Sequence, residues 1–490
     1  MNDIPHALYT PAQVRELDRR AIEDHGIPGG VLMARAGRSA WRHLCLRFPD
    51  IRRLLVLCGG GNNGGDGYVI ARLAAEAGLA VDLCPLVDPQ RLGGNAREAA
   101  DAALALMAPV ASPRAAIGEA DAVVDAMLGT GIDRPVTGTM ATVIDALNAQ
   151  CAPVMSIDVP SGLNARTGRV MGTAVCAAIT PTFIGLKQGL LTGDAADFVG
   201  ELVFDDLQVP VAIHDGIEPS SMRLSAAALA GGLSARARTT HKGDCGHVRV
   251  VGGDHGMGGA VRMAGEAAAR VGAGRVSIAT RPAHVAAVLA ARPELMVHGM
   301  DDAAALDAVL AGTDTLAIGP GLGQSAWGAG LFERALSHAG PMVVDADALN
   351  RLAGSGMRRE DWVLTPHPGE AARLLETTTR AIVDDRFAAA DAIAERYGGV
   401  VVLKGTGTLI ADGRRRVICT EGNPGMASAG MGDVLTGVIA GLRAQGLGAF
   451  DAACLGVQAH ARSADRAACQ GERGLLAGDL VDGLRAVVNP

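Results

Sequence analysis

Two series of short apolar runs, each alternating with helix-period stretches, constrain this chain more than any other feature of its sequence. Strands buried on both faces and joined by crossover helices produce such alternation, so it predicts parallel sheets and an α/β fold. In the first series the strand candidates are residues 53–58, 80–84, 122–126, 154–158 and 174–179. Two helices, 11–25 and 31–48, precede them and are broken at Gly26-Ile-Pro-Gly-Gly30. The second series runs through 247–251, 275–279, 315–318, 342–345, 363–365 and 400–403, and it ends in helices from about Asp433. Between the series, residues 210–240 show no strong strand period and carry Pro219-Ser-Ser, Gly231-Gly and an arginine-rich stretch at 235–238. The expected organisation is a domain over 1–215, a linker over 216–238 and a second domain over 239–490, in keeping with a length of 490 residues, too long for one core. No repeat relates the halves, so the two domains are expected to be unlike.

Composition narrows the class. Hydrophobic residues make up 49% of the chain but aromatics only 3%, so small and branched aliphatic side chains must do the packing, as in layered sheets with close helix contacts. A net charge of −8 and the lack of a broad basic face exclude general nucleic-acid binding, and the run at 414–416 reads as a solvated basic turn. Nine cysteines without a Cys-x-x-Cys pair or ligand spacing read as reduced residues of a cytoplasmic protein, and no zinc site is expected. The amino terminus lacks a charged region followed by an apolar one, so no secretory signal is expected. The longest uncharged run, 170–186, contains Gly172, Pro181 and Gly185 and reads as a buried strand plus loop rather than a membrane span.

Two glycine-rich segments carry the chemistry. In Gly422-Asn-Pro-Gly-Met-Ala-Ser-Ala-Gly-Met-Gly-Asp-Val-Leu-Thr-Gly437, glycines precede one aspartate and an apolar helical run. Convergent N–H groups and the positive end of the helix suit an anion. Gly430 and Gly432 then cradle a transferring phosphoryl group while Asp433 takes the proton of an attacking hydroxyl; the plainer reading is a turn whose aspartate caps the helix. The second segment, Cys58-Gly-Gly-Gly-Asn-Asn-Gly-Gly-Asp-Gly67, lies between a strand and a helix with Val69, Ile70, Leu73 and Ala77 on one face. It matches neither the dinucleotide fingerprint nor the P-loop, but its asparagines add amide oxygens, which suits a ligand with both phosphate and cation. Asp125 ends a strand before Gly129-Thr-Gly-Ile-Asp-Arg-Pro135, and Asp158 ends another before Val159-Pro-Ser-Gly162. Asn63, Asp125 and Ser161 are thereby candidate oxygen ligands for one cation, and Asp158 is left for acid/base work; each aspartate taken singly also fits a cap or turn.

These residues resemble a known pair of families. Asp18 with Ala21-Ile-Glu, Gly26-Ile-Pro, Leu32-Met, the Gly-Asn-Asn-Gly-Gly-Asp-Gly loop, Asp125 to Pro135 and Asp158-Val-Pro-Ser-Gly-Leu are similar to the NAD(P)H-hydrate epimerases. Lys242-Gly-Asp-x-Gly-His, Gly319-Pro-Gly-Leu-Gly, Asp345-Ala-Asp-Ala-Leu-Asn, Leu364-Thr-Pro-His-Pro-Gly-Glu, Leu403-Lys-Gly-Thr-Gly-Thr and the 422–437 segment are similar to the ribokinase-like NAD(P)H-hydrate dehydratases. Together they cover almost the whole chain and resemble the bifunctional nicotinamide nucleotide repair family. The resemblance implies a Rossmann-like three-layer αβα domain followed by a ribokinase-like αβα domain. It implies that the R and S hydrates of NADH and NADPH (NADHX and NADPHX) are interconverted and that the S form is dehydrated with ADP, giving AMP and phosphate.

Carried onto this chain, the resemblance implies that Asn62, Asn63, Gly64, Gly65, Asp66, Gly129, Thr130, Gly131, Ile132, Asp133, Arg134, Pro135 and Asp158 bind the hydrate in the first domain. Asn63, Asp125 and Ser161 would hold potassium there. In the second domain Ala260, Gly323, His367 and Asp433 would contact the hydrate, and Lys404, Gly405, Thr406, Gly407, Thr408 and Gly432 would hold ADP with magnesium. Asp433 and Asp158 are the expected catalytic residues, and a homo-oligomer is expected. His367, between two prolines, is expected to aim a donor at the substrate. One departure is at Phe183-Ile-Gly-Leu-Lys187, where the family commonly has Phe-Gly-x-Pro-Lys; with the proline absent, Lys187 is left outside the expected site. Met33-Ala-Arg-Ala-Gly37 also lacks the Glu-Asn that many relatives carry. Two other classes compete: a small-molecule kinase of the hydroxymethylpyrimidine or thiazole type fused to a nucleotide-binding domain, and a nucleotide sensor whose first domain has lost catalysis. A kinase leaves Asn62-Asn63 unexplained and releases a stable phosphorylated product.

Overall fold

The structure, a computed structural model, describes residues 4–110, 112–225 and 227–489. Met1 and Pro490, the outer bounds of the expected domains, and Ala226 of the expected linker lie outside the described residues. The chain divides into two units, Met1–Met222 and Arg223–Pro490.

In the first unit β1 (Ala7–Leu8) precedes β2 (Arg53–Cys58), β3 (Ala80–Pro85), β4 (Ala122–Ala126), β5 (Val154–Ser156), β6 (Ile179–Phe183) and β7 (Glu201–Asp205). The six strands from β2 onward form one sheet in the order β3-β2-β4-β5-β6-β7, with every pair parallel. Alternate residues of β2 feed separate cores on its two faces: Leu54 and Val56 pack with Tyr68 and Ile70, whereas Leu55 and Leu57 pack with Ile144 and Leu147. That two-sided burial is why the run reads as continuously apolar. The 216–238 stretch is not featureless: it contains β8 (Ser221–Arg223), whose Ser221 and Met222 pair antiparallel with β1, and a short helix at Ala228–Gly232.

Three expectations for this unit change. β5 stops at Ser156 instead of reaching 158, because Asp158 adopts a left-handed φ of 67° that ends the ladder. The strand expected at 174–179 lies later, at β6. Val175 gives its N–H to the Ser161 carbonyl (2.9 Å), Cys176 to the Asn148 side chain (2.9 Å) and Ala177 to the Phe198 carbonyl (2.8 Å), so the chain reaches the sheet only at Ala178, whose N–H donates to the Val154 carbonyl of β5 (2.7 Å). Pro181 lies within β6, and its carbonyl accepts the Asp158 N–H (2.8 Å) on the side where β5 has ended, so its missing donor breaks no ladder bond. β7, half polar, was not expected at all.

The second unit contains β9 (His247–Val251), β10 (Arg275–Thr280), β11 (Met296–Gly299), β12 (Thr315–Ile318), β13 (Met342–Val344), β14 (Trp362–Leu364), β15 (Val400–Leu403), β16 (Thr408–Ala411) and β17 (Arg416–Cys419). They run in the order β17-β16-β15-β14-β13-β12-β9-β10-β11. Pairs from β11 to β15 are parallel, and β15, β16 and β17 are antiparallel neighbours. Arg416, expected in a solvated turn, instead sits in β17, where its guanidinium donates to Asp391 (2.9 Å). The short, partly exposed β11 and the β16–β17 hairpin escaped the pattern.

Small residues set how closely the helices approach. A Cβ at Gly437 in the helix Met431–Ala444 would lie 2.0 Å from the Ala264 carbonyl oxygen in the helix Gly258–Arg270, and one at Gly441 would lie 2.8 Å from that of Ala268. Backbone rather than a flexible side chain blocks the space. Gly437→Ala is therefore expected to destabilise the second unit by roughly 1–3 kcal/mol despite alanine's better helix propensity. Urea unfolding checks this, and an unchanged or higher stability would contradict the packing. No helix among the described residues is long and apolar enough to cross a membrane.

Candidate active sites

The strand order of the first unit reverses between β2 and β4, and open α/β sheets bind ligands in the crevice at such a switch point. A cleft of about 1140 Å³ opens there. Asn62, Asn63, Asp66, Gly129, Thr130, Gly131, Ile132, Asp133, Arg134, Pro135 and Asp158 all line it. Glycine lets the loops after β2 and β4 touch: a Cβ at Gly59 would lie 1.7 Å from the Met127 carbonyl oxygen. The Asn63 amide then donates to the Leu128 carbonyl (3.0 Å), and the helix Asn62–Glu76 starts at the cleft with its N-terminal turn. Gly64 and Gly65, expected among the binding residues, are not brought to the cleft surface. They are buried, and a Cβ would meet the Gly59 carbonyl oxygen at 2.2 Å or the Met33 methyl at 2.5 Å, so they serve the packing of this turn.

Asp158 faces the cleft from the end of β5. Its carboxylate accepts from Thr182 Oγ1 (3.1 Å), from the Phe183 N–H (3.3 Å) and from the Lys187 ammonium. Lys187 is buried and also donates to Thr182 Oγ1 (3.0 Å) and the Phe183 carbonyl (3.1 Å). The lysine left out of the expected site thus lines the cleft. Ile184, at φ 61°, stands where the family pattern has its glycine and Leu186 where it has its proline, so Lys187 reaches the cleft with neither residue of the pattern in place. Asp18 lines the same cleft, and burial pushes its pKa up to about 6, opposed by Lys187 and assisted by Asp158. Burial likewise holds Asp66 well above the ordinary carboxylate range, with Asp158 and Asp18 adding to the shift. Carboxyl groups that burial makes weaker acids and an ion-paired carboxylate thus share one cavity, an arrangement suited to proton transfer in both directions.

Asp125 and Ser161 lie behind this wall, both fully buried. Asp125 accepts from Ser161 Oγ (2.5 Å), the Ser161 N–H (2.9 Å), Ser156 Oγ (2.7 Å) and the Met127 N–H (3.2 Å). Burial nevertheless raises its pKa. The side-chain oxygen of Asn63 is buried and has no hydrogen-bond partner. Among the described residues no three or more His, Cys, Asp or Glu side chains gather as a metal cage.

The second sheet has its switch point between β9 and β12. The loops beyond these strands meet through Gly253 N–H to the Pro320 carbonyl (3.0 Å) and Asp254 N–H to that of Gly321 (2.6 Å). Ala260 and Gly323 belong to this junction: the Ala260 methyl lies 3.2 Å from where Gly321 would carry a Cβ, and the Gly323 N–H donates to Asp347 (2.8 Å). From the end of β13, Asp345 accepts from Lys404 Nζ (2.8 Å) on one oxygen and from Thr436 Oγ1 (2.8 Å) on the other. A Cβ at Gly432 would lie 3.3 Å from Lys404 Nζ, so Lys404, at the end of β15, reaches the N-terminus of the helix Met431–Ala444. Gly430 caps that helix at φ 90°, a conformation that requires glycine, and the first N–H groups of the helix have no acceptor within it.

Asp433 stands in the first turn of that helix. Burial, with Asp345 next and Asp347 and Glu370 adding, pushes its pKa up to about 7, while Lys404 opposes the shift. Lys404 keeps its proton although burial works against it, because Asp345, Glu370 and Asp433 surround it. His367 caps the helix Pro368–Leu374: its Nδ1 accepts the Gly369 N–H (3.0 Å), which assigns the proton to Nε2, 3.3 Å from Glu370. Burial first, then Lys404 and Arg373, lower its pKa. Its donor is thus turned toward Glu370, where the sequence suggested a free donor for substrate. Gly405 and Thr406 are exposed at the tip of the β15–β16 hairpin, and Thr408 already belongs to β16.

Comparisons with known proteins agree with this division. Residues 29–189 match the family described as YjeF-related protein N-terminus, and residues 248–485 match the NAD(P)H-hydrate dehydratase family. The chain is 48% identical to the bifunctional NAD(P)H-hydrate repair enzyme Nnr of Coxiella burnetii over 99% of both chains. It is 45% identical to the enzyme of the same name from Escherichia coli, over 99% of this chain and 95% of that one. Among solved structures, the ADP/ATP-dependent NAD(P)H-hydrate dehydratase of Bacillus subtilis, co-crystallised with ATP and Mg2+, is 29% identical with a TM-score of 0.50, covering 54% of this chain and 96% of that one. A ribokinase-like superfamily protein of Enterococcus faecalis is 28% identical with a TM-score of 0.51, covering 54% and 94%. Relatives that match across both units, where a fused kinase would match across one, set the kinase reading aside. The chain belongs to the family of bifunctional NAD(P)H-hydrate repair enzymes.

Proposed function

We propose that the first unit epimerises NADHX and NADPHX in the cleft at the end of β2, β4, β5 and β6, and that the second dehydrates the S form with ADP at the Asp433 helix. The observation that carries the reading is Asp433, a carboxylate with a pKa near 7 at the positive end of a helix beside a protonated lysine. In the second unit the ring hydroxyl of the hydrate attacks the terminal phosphoryl group of ADP and Asp433 takes its proton. The bond between the two phosphorus-bearing groups breaks, AMP leaves, and the helix N–H groups with Lys404 stabilise the charge on the transferred group. The ring nitrogen then expels phosphate as the adjacent ring carbon loses a proton, which restores the double bond. Ala260, Gly323 and His367 are assigned to the hydrate, and Lys404 to Thr408 with Gly432 to the nucleotide. Magnesium fits as a cation carried by the nucleotide phosphates, since no cage of acidic ligands gathers for it among the described residues.

In the first unit Asp158 is the proposed base, with Lys187 holding its carboxylate, and Asp66 and Asp18, whose carboxyl pKa values burial raises, are placed to return a proton to the leaving hydroxyl. Water departing from one face of the ring carbon and returning to the other inverts its configuration. Potassium is assigned to Asn63, Asp125 and Ser161. The unpartnered Asn63 oxygen supports this, and Ser161 Oγ has the Leu128 carbonyl (3.2 Å) as a second acceptor, which would free an Asp125 oxygen for the cation. The reading places the protein in the cytoplasm as a homo-oligomer, which light scattering of the purified chain tests.

Product analysis tests the reaction type: S-NADHX with ADP is expected to give NADH, AMP and phosphate in equal amounts. A stable phosphorylated nucleotide as end product would overturn it. The base form of Asp433 is required, so dehydration kcat/KM is expected to rise with pH, up to tenfold per unit, and level off above about 7. A profile falling through that range would contradict the assignment. Because the folded-state pKa is raised, the contribution of this group to stability is present at low pH and is lost as pH rises through about 7.

A further inference from the structure

Arg386 is a buried cation with no anion paired to it among the described residues. It is 4% exposed, and burial pulls its pKa down to about 10 with no charged neighbour contributing. Its Nη2 donates to the carbonyls of Leu403 (3.1 Å) and Gly407 (3.3 Å), the two ends of the loop between β15 and β16. Its Nε has no partner. The nearest carboxylate in sequence, Asp385, caps the helix Arg386–Tyr397 by accepting from the Ala388 N–H (3.1 Å). Arg386 is the first residue of that helix, where the dipole disfavours a positive charge. Desolvation, dipole and an orphaned donor all oppose the residue, and two carbonyl bonds are weak compensation for them.

The guanidinium lies directly beneath Gly405: a Cβ there, at φ 134°, would be 2.5 Å from Nη1. Gly405 and Thr406 above it are exposed. A fixed positive charge therefore sits one backbone layer below the exposed tip of the loop assigned to the nucleotide. We propose that Arg386 is a positioning residue for ADP, which draws the loop carbonyls inward and supplies from beneath the loop the counter-charge for the nucleotide's phosphates. The inference rests on the assignment of residues 404–408 to the nucleotide.

The test is nucleotide binding to the full chain by calorimetry in magnesium-free buffer, with AMP, ADP and ATP, for wild type, Arg386→Met, Arg386→Lys and Lys404→Ala. Arg386→Met is expected to weaken ADP about tenfold and ATP more, but AMP only about threefold, because the lost attraction scales with phosphate charge. Arg386→Lys, which keeps the charge and loses the double carbonyl bond, is expected to fall between Met and wild type, and it carries the test if the methionine variant fails to fold. An equal loss for all three nucleotides would reduce Arg386 to a structural brace and overturn the proposal. Unchanged affinities in the Arg386 variants with a loss in Lys404→Ala would overturn it while leaving the nucleotide loop in place. Unchanged affinities in all variants would overturn the loop assignment as well.

Discussion

Asp433→Asn is expected to lower dehydration of S-NADHX by about 10²–10⁴-fold and to leave the R/S interconversion unchanged. Asparagine keeps the size and the hydrogen-bonding reach of the side chain but cannot take a proton. Folding should not suffer. The raised pKa of Asp433 arises from burial and from repulsion by Asp345, Asp347 and Glu370, so replacing the charge removes an unfavourable interaction at neutral pH. Thermal stability of the variant at pH 8 should equal or exceed that of the wild type. A large loss of activity with an equally large loss of stability would mean that the carboxylate supports structure rather than chemistry. Loss of epimerisation in the same variant would contradict the division of labour between the two units.

The second large effect belongs to the first unit. Asp158→Asn is expected to slow epimerisation by about 10²–10⁴-fold with dehydration of pure S hydrate unaffected. Here stability should fall, because Lys187, 1% exposed at its side chain, is left without its anion while Asp158 retains 20% exposure. Breaking a pair buried on one side is expected to cost about 1–3 kcal/mol. The double variant Asp158→Asn with Lys187→Met removes the orphaned charge, so it should recover most of that stability and none of the activity. Recovery of epimerisation in the double variant would show that Asp158 acts only as a counter-ion.

The positions of these two aspartates were legible in the sequence because each stands at the junction of an apolar run and a glycine-bearing turn, Asp158 after the run and Asp433 before it, a local pattern. What the sequence did not carry was strand order. The switch points between β2 and β4 and between β9 and β12 bring Asn63 against Gly129 and Ala260 against the Gly319–Gly323 loop, and no local period encodes such neighbours. For the same reason the sequence does not show that Gly64 and Gly65 are buried: a glycine needed for contact with ligand and one needed for contact with backbone look alike until the Gly59 carbonyl is in place. Lys187 was left out because Leu186 stands where the family has proline, and its approach to the cleft beside Asp158 depends on strand neighbours that no local pattern encodes. β6 begins later than the apolar run from Ala174 suggests because the N–H groups of residues 175–177 bond outside the sheet, which the run itself does not reveal. Arg386 left no signal, since an arginine at the start of a helix reads as exposed until the β15–β16 hairpin covers it.

The account stands on two activities in one chain at two separate sites. The most direct measurement is recovery of reduced nicotinamide from an equilibrated mixture of R- and S-NADHX with ADP, magnesium and potassium, followed by absorbance with AMP quantified in parallel. The expected result is complete recovery in a single course, faster than the spontaneous R-to-S conversion, with one AMP formed per NADH. A burst that consumes only the S fraction and then slows to the spontaneous rate would contradict the first-unit activity, and no recovery with either ADP or ATP would contradict both.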